Sequence, residues 1–189
     1  MTGPMQQEPA YVLHRRPWRE TSLMVDVFSL NAGRVTVIAR GGNSAKSPLK
    51  AQLQPFQPLL LDWTGRSDLK TLTQADVRSG PTLKRTLSLY SGLYVNELLQ
   101  RLLPMADPHH QLFAAYIDVI AELSEASDVE PVLRRFEQSL AAELGYDFGW
   151  DQAMDSGQPV EAGGLYCYDP EQGILAEPSP GSISTPPRA

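Results

Sequence analysis

Two hydrophobic periodicities divide the chain, a period of two up to about residue 80 and a period near 3.6 from there to Gly145. The first strand-like run is Ala10 to Arg15, and Pro17 interrupts it. Over Ser22 to Ser29, Leu23, Val25 and Val27 alternate with Met24, Asp26 and Phe28, which predicts a half-buried strand. Asn31, Ala32 and Gly33 supply turn chemistry, and Arg34 to Arg40 resumes the alternation with Val35, Val37 and Ala39, so the two runs predict a hairpin. Further strands are expected over Phe56 to Trp63 and Leu69 to about Arg78, with a turn at Thr64 to Asp68. About five short strands with no room for crossover helices predict an antiparallel sheet that closes to protect its edges, as an OB-type barrel does.

The period changes at Gly80-Pro81. Pro81 suits a first helical turn, and Leu83, Leu87, Tyr90, Leu93, Tyr94, Leu98, Leu102 and Leu103 form an apolar stripe that Pro104 stops. Asp107 predicts an N-cap, with Pro108 opening a second helix whose apolar set is Leu112, Phe113, Tyr116, Ile117, Ile120 and Leu123. Asp128 predicts the cap of a third, with Val132, Leu133, Phe136, Leu140 and Leu144 inward and Gly145 as its breaker. Three amphipathic helices predict a bundle. From Tyr146 onward only Gly164 to Tyr168 and Gly173 to Ala176 have strand character. The fold class expected is α+β, an N-terminal OB-type antiparallel β-barrel followed by an α-helical domain. The divisions are a mobile leader at 1–8, the barrel at 9–80, a helical domain with an irregular end at 81–177, and a disordered tail at 178–189.

Charge sharpens this division. The chain carries a formal net charge of -6, yet residues 1–80 hold ten Lys/Arg against six Asp/Glu, and residues 81–189 hold six against sixteen. Two halves of opposite sign suggest two modules, the basic one suited to polyanions; the plainer alternative for the second half is that acidic helix surfaces confer solubility. No apolar run approaches the ~20 residues of a membrane span, and the first ten residues lack signal-peptide regions, so a cytoplasmic location and no membrane partner are expected. Cys167, the single cysteine, supplies neither an internal disulfide nor a multi-thiolate zinc site.

The basic residues gather between 14 and 50. Arg15, Arg16, Arg19, Arg34, Arg40, Lys46 and Lys50 stand there against Glu20 and Asp26. Lys and Arg neutralise phosphates and release counterions, while an exposed aromatic gives a base a face to stack on, so this set predicts phosphate contacts with Trp18 as the stacking candidate. The alternative is that Trp18 packs under the barrel rim and the arginines are merely solvated; Phe28 and Trp63 read as core. Residues 41–48, GGNSAKSP, predict an open basic loop. They superficially resemble a P-loop, but that pattern needs glycine where Arg40 and Ala45 stand and a helix where another loop is expected. Catalysis and metal binding find no constellation: His14 lies in a strand, and the adjacent His109 and His110 are not an i, i+4 pair and read as solvated. Glu122, Glu125, Asp128 and Glu130 read as a solvated helix end. No cofactor is expected.

The stretches YVLHRRPWRETSLMVDVFSLNAGRVTVIARG and SPLKAQLQPFQPLLLDWTGRSDLKTLTQAD resemble the start of the bacterial recombination mediator family RecO. SLYSGLYVNELLQRLLPMADPHHQLFAAY and LRRFEQSLAAELGY resemble its helices, so the resemblance covers roughly residues 9–176. It implies an N-terminal OB fold, a helical domain, binding of single- and double-stranded DNA, and annealing of complementary strands. It also implies work with RecR and single-stranded DNA-binding protein to load RecA, the last an indirect partner, at the nucleoid. Some members hold zinc with four cysteines after the third helix; Cys167 alone stands here. Members also normally continue through further helices, whereas this sequence closes on a Pro/Ser-rich stretch, the pattern expected of a truncated product. The expected function is a non-enzymatic DNA repair and recombination mediator. The rival is an adaptor whose basic barrel docks an acidic peptide.

Overall fold

The computed structural model describes residues 4–146, 149–169 and 172–176. Its contacts divide it into two compact units, Met1–Glu143 and Leu144–Ala189. In the first unit, β1 (Met5–Trp18), β2 (Ser22–Ser29), β3 (Gly33–Ala39), β4 (Leu59–Thr64) and β5 (Leu69–Val77) close into a barrel in the order β1-β2-β3-β5-β4. The β3–β5 pairing is parallel and the others are antiparallel, giving the OB-type barrel anticipated above. Val12, Val25, Val27, Val35, Val37, Leu61 and Trp63 fill its interior, so Trp63 is core.

Strand β1 begins at Met5, inside the stretch read as a mobile leader. Its first half pairs with β4 and its second with β2, and a bulge between Val12 and His14 supplies the bend that the switch of partner requires. Glu8, 2% exposed, anchors the start of this strand: its carboxylate accepts from the Asn31 N–H at 2.5 Å and the Asn31 Nδ2 at 3.0 Å, fastening the β2–β3 turn. The strand also runs through Pro17, which pairs with Leu23.

Both faces of β2 are buried, where alternation predicted one. Val25 and Val27 point into the barrel, while Phe28 lies beneath helix α3 (His110–Glu125), with its ring centroid 5.3 Å from that of Phe113. An outer face covered by helices must itself be apolar, and that removes the polar half of the pattern.

Helix α1 (Leu49–Gln52) is a single turn that follows the basic loop, where no helix was expected. Helix α2 (Thr86–Leu102) starts after Pro81, which lies outside it, and presents its faces opposite to the expected way. Ser88, Ser91, Gly92, Val95, Asn96 and Leu99 are buried, whereas Leu87, Tyr90, Leu93 and Tyr94 are exposed. The reason is proximity and polarity. A Cβ at Gly92 would come within 2.9 Å of the Phe56 ring, and Asn96 Nδ2 donates to the Val12 and Leu13 carbonyls at 3.2 and 3.0 Å, where the bulge disturbs the β1 ladder. Tyr116 then donates its hydroxyl to Asn96 Oδ1 at 2.7 Å.

Helix α3 begins at His110 with no side-chain cap, so Asp107 does not cap it. Leu112, Phe113, Tyr116, Val119, Ile120 and Leu123 are buried, with Val119 taking the inward place expected of Ile117. Helix α4 (Glu130–Glu143) buries Val132, Phe136 and Leu140, and Asp128 Oδ1 accepts the Glu130 N–H as its cap. His109 is not solvated: its side chain is 12% exposed and its Nδ1 lies 2.8 Å from Glu143 Oε1, tying the start of α3 to the end of α4. Glu122, on the acidic helix surface, pairs with Arg135.

The second unit contains the hairpin β6 (Tyr166–Asp169) and β7 (Gly173–Ala176), close to the two runs expected. Trp150 stacks on Tyr168 at 5.8 Å with 10° between the ring planes. The tail read as disordered, 178–189, lies outside the described residues. Among the described residues no helix is long and apolar enough to cross a membrane.

Candidate nucleic-acid interface

Neighbouring strand ends build the site. Trp18 pairs with Ser22 across β1–β2, Leu23 pairs with Ala39 across β2–β3, and Ile38 pairs with Thr71 across β3–β5. These registers set Trp18, Ser22, Ile38, Arg40 and Thr71 around one open groove of about 560 Å³. Arg19, Thr21, Gly41, Leu69 and Lys70 complete its lining. Side chains two apart on a strand share a face, which is why Ile38 and Arg40 both reach it.

The groove lining mixes apolar, hydroxyl and cationic side chains. Three of its lining residues are cations, Arg19, Arg40 and Lys70, and none is acidic, on a chain whose net charge is -6. Lys70 is 2% exposed, whereas Arg19 and Arg40 are exposed. Among the described residues neither arginine is engaged in a side-chain hydrogen bond or ion pair, so both guanidinium groups are available to a ligand. Trp18 is half-buried and lines the groove.

Arg19 sits in the tight β1–β2 turn with φ +53, the left-handed region that non-glycine residues occupy at a cost of about 1 kcal/mol. The turn is braced from the other side, where Asn43 donates its N–H to the Thr21 carbonyl at 2.8 Å. The basic loop after β3 is thereby joined to the groove wall, and Lys46 and Lys50 on that loop segment are exposed.

The remaining sequence candidates are placed differently. Arg16 aims its Nε and Nη2 at the Met24 sulfur, 3.2 and 3.0 Å away, and lies at the groove end of β1. Arg15 directs its guanidinium at the Lys50 and Leu53 carbonyls and at Gln54 Oε1. Arg34 donates its Nε to the Leu103 carbonyl at 3.0 Å, while its own carbonyl accepts from Ala106 N–H at 2.8 Å, so it fastens the α2–α3 connection along β3. The groove residues missed by sequence reading include Leu69, Lys70 and Thr71 of β5, along with Thr21, Ser22, Ile38 and Gly41. The sheet register that brings β5 beside β3 is a long-range fact with no local signal.

Zinc chemistry does not fit the residues present. Cys167 is exposed and is the chain's one cysteine, and among the described residues no cluster of three or more His, Cys, Asp and Glu is arranged to hold a metal ion.

The comparisons with known proteins agree with this architecture on both sides of its strand-to-helix change. The family models described as Recombination protein O N terminal and Recombination protein O C terminal match residues 1–81 and 84–181. A DNA repair protein RecO of Marinobacter nauticus is 63% identical over 183 residues, covering 95% of this chain and 74% of the relative. Those of Nitrosospira multiformis and Haemophilus influenzae (strain 86-028NP) are 47% and 46% identical, covering 90% and 88% of this chain and 71% and 70% of the relatives. With both family models matching, which together take in most of the chain, and identity of this order, the chain belongs to the RecO family of DNA repair and recombination proteins.

Proposed function

We propose that the barrel grips the phosphate backbone of single- and double-stranded DNA along the Trp18–Arg40 groove, without reading sequence and without catalysing a reaction. One observation carries this reading: the groove combines an aromatic face with two unengaged guanidinium groups and no carboxylate in its lining. Arg19 and Arg40 take adjacent phosphates, Trp18 stacks on a base, and Arg16, Lys46 and Lys50 extend the basic track. Arg15 and Arg34, whose guanidinium groups are engaged internally, contribute charge at longer range.

Annealing follows from the same electrostatics. Neutralising two strands lowers their mutual repulsion and holds them close enough to pair. Family membership supports the wider role, in which the protein works in the cytoplasm at the nucleoid with RecR and single-stranded DNA-binding protein to help load RecA.

The test is binding of a labelled single-stranded oligonucleotide across salt concentrations. About five phosphate contacts give a slope of log affinity against log salt of roughly -3.5. Replacing Arg19 and Arg40 together by alanine should bring that slope to roughly -2 and slow strand annealing. A flat salt response in the parent protein sinks the reading. The adaptor alternative draws on the same positive groove, which also suits an acidic peptide; it predicts no affinity for the oligonucleotide at low salt.

A further inference from the structure

The segment that follows β3 has to be held in place, because its own structure is too small to hold itself. Helix α1 is four residues long, has no side-chain cap at Pro48, and leaves carbonyls at its C-terminal end without helical partners. Arg15 meets those carbonyls. Its Nη1 donates to Lys50 O at 2.7 Å and Leu53 O at 3.0 Å, and its Nη2 donates to Gln54 Oε1 at 3.0 Å. Gln54 Nε2 returns to the Lys50 carbonyl at 2.6 Å, so one guanidinium and one amide close residues 50–54 onto β1. The front of the segment is tied separately, through Asn43 N–H to Thr21 O, and Leu53 is fully buried in the barrel core. Between these ties lies Lys46, and Lys50 stands at the second of them.

We propose that Arg15 is a positioning residue for the basic loop: it sets where Lys46 and Lys50 stand and does not itself contact DNA. This rests on the reading that the loop meets phosphates. The planar fork of Arg is what the arrangement uses, since three acceptors lie around one guanidinium, and an ammonium in its place keeps the charge without matching that geometry. Leu53 keeps the segment on the barrel when Arg15 is changed, so the expected effect is a loosened loop on an intact fold.

The experiment compares Arg15→Lys and Arg15→Ala with the parent protein in oligonucleotide binding, salt dependence and amide hydrogen exchange. Both variants should bind roughly three- to ten-fold more weakly. In the Arg15→Ala background, adding Lys46→Ala and Lys50→Ala should change affinity far less than the same pair does in the parent, because the three residues act as one unit. Exchange at Gln52 and Leu53 should quicken by roughly ten-fold in both variants while the barrel strands stay protected. If Arg15→Lys binds like the parent and only Arg15→Ala loses affinity, with a slope shallower by about 0.7, Arg15 is a direct phosphate contact and the proposal is overturned. Unchanged exchange at Gln52 and Leu53 overturns it as well. That second readout needs no DNA, so failure of the DNA-binding reading is told apart from failure of the positioning role.

Discussion

Strand β1 runs through two regions that treat polar groups in opposite ways. At Tyr11–Leu13, where the barrel meets α2 and α3, Asn96 donates to the bulge carbonyls and accepts from Tyr116 inside a wall of Phe28, Phe113 and Tyr11 rings. At Trp18–Arg19 the same strand gives way to a left-handed arginine, beside a half-buried tryptophan and guanidinium groups with nothing to hold. The seam is arranged for stability, and the groove leaves donors open and keeps backbone strain. Where a strand's donors are committed inside, mutation reads out as unfolding; where they are left open, it should read out as lost binding. That separation can be broken or sharpened by four measurements.

The largest effect is expected at the seam. Asn96→Ala leaves two buried carbonyls and the Tyr116 hydroxyl without their partner, and should cost about 3 kcal/mol in urea unfolding. Tyr90→Ala, on the exposed face of the same helix, where Tyr90 is 66% exposed, should change stability by no more than ~0.5 kcal/mol. Equal costs at the two positions would mean that the leucine and tyrosine stripe is the buried face after all.

That stripe shows what the sequence could and could not disclose. The strands were legible because Val25, Val27, Val35 and Val37 alternate, and the hairpin because Gly33 stands where φ is +65. Gly33 serves a second purpose invisible locally: a Cβ there would lie 1.9 Å from the Asp107 carbonyl oxygen, so the α2–α3 connection can approach only a glycine. Helix α2 was legible as a helix but not in its orientation. Periodicity reports that one face is apolar, whereas burial follows what the neighbour needs, here small residues near Phe56 and a donor for the bulge. The candidate site was partly legible for the same reason. Local charge density located Arg19 and Arg40, but Arg15 and Arg34 look identical in sequence and are engaged by carbonyls contributed from 35 and 69 residues away.

Within the groove, Trp18→Ala should weaken single-stranded DNA binding by ~1–3 kcal/mol while leaving the salt slope unchanged, since stacking releases no counterions. Its stability cost should be smaller than that of Asn96→Ala, because Trp18 is half-buried at a strand end. A loss of slope instead of affinity would assign the groove a purely electrostatic role.

Returning to the seam, burial raises the Tyr116 hydroxyl above the ordinary tyrosine range, with Tyr11 adding to the effect. A raised folded-state pKa favours the protonated form in the native protein. Its contribution is therefore fully present below about pH 10 and declines as alkali ionises the unfolded chain. Tyr116→Phe should cost about 1 kcal/mol at neutral pH through the partner lost by Asn96 Oδ1, and should flatten the fall in stability above pH 10. The flattening should be incomplete, because burial also raises Tyr11 and Tyr94.

The smallest effect has two signs and gives the sharpest comparison. Arg19 holds φ +53 without glycine's freedom, so Arg19→Gly should remove local strain and leave stability unchanged or raised by up to ~1 kcal/mol, measured by thermal or urea unfolding. The same change removes one exposed guanidinium from the groove, so affinity for single-stranded DNA should fall and the salt slope should become shallower by about 0.7. Arg19→Ala, which removes the charge but keeps the strain, should match it in binding and not in stability. A variant that is more stable and binds less well places the strain at the groove, on a residue kept for its charge. If Arg19→Gly instead destabilises the barrel, the left-handed arginine is making a structural contact and the division between seam and groove does not extend to the β1–β2 turn.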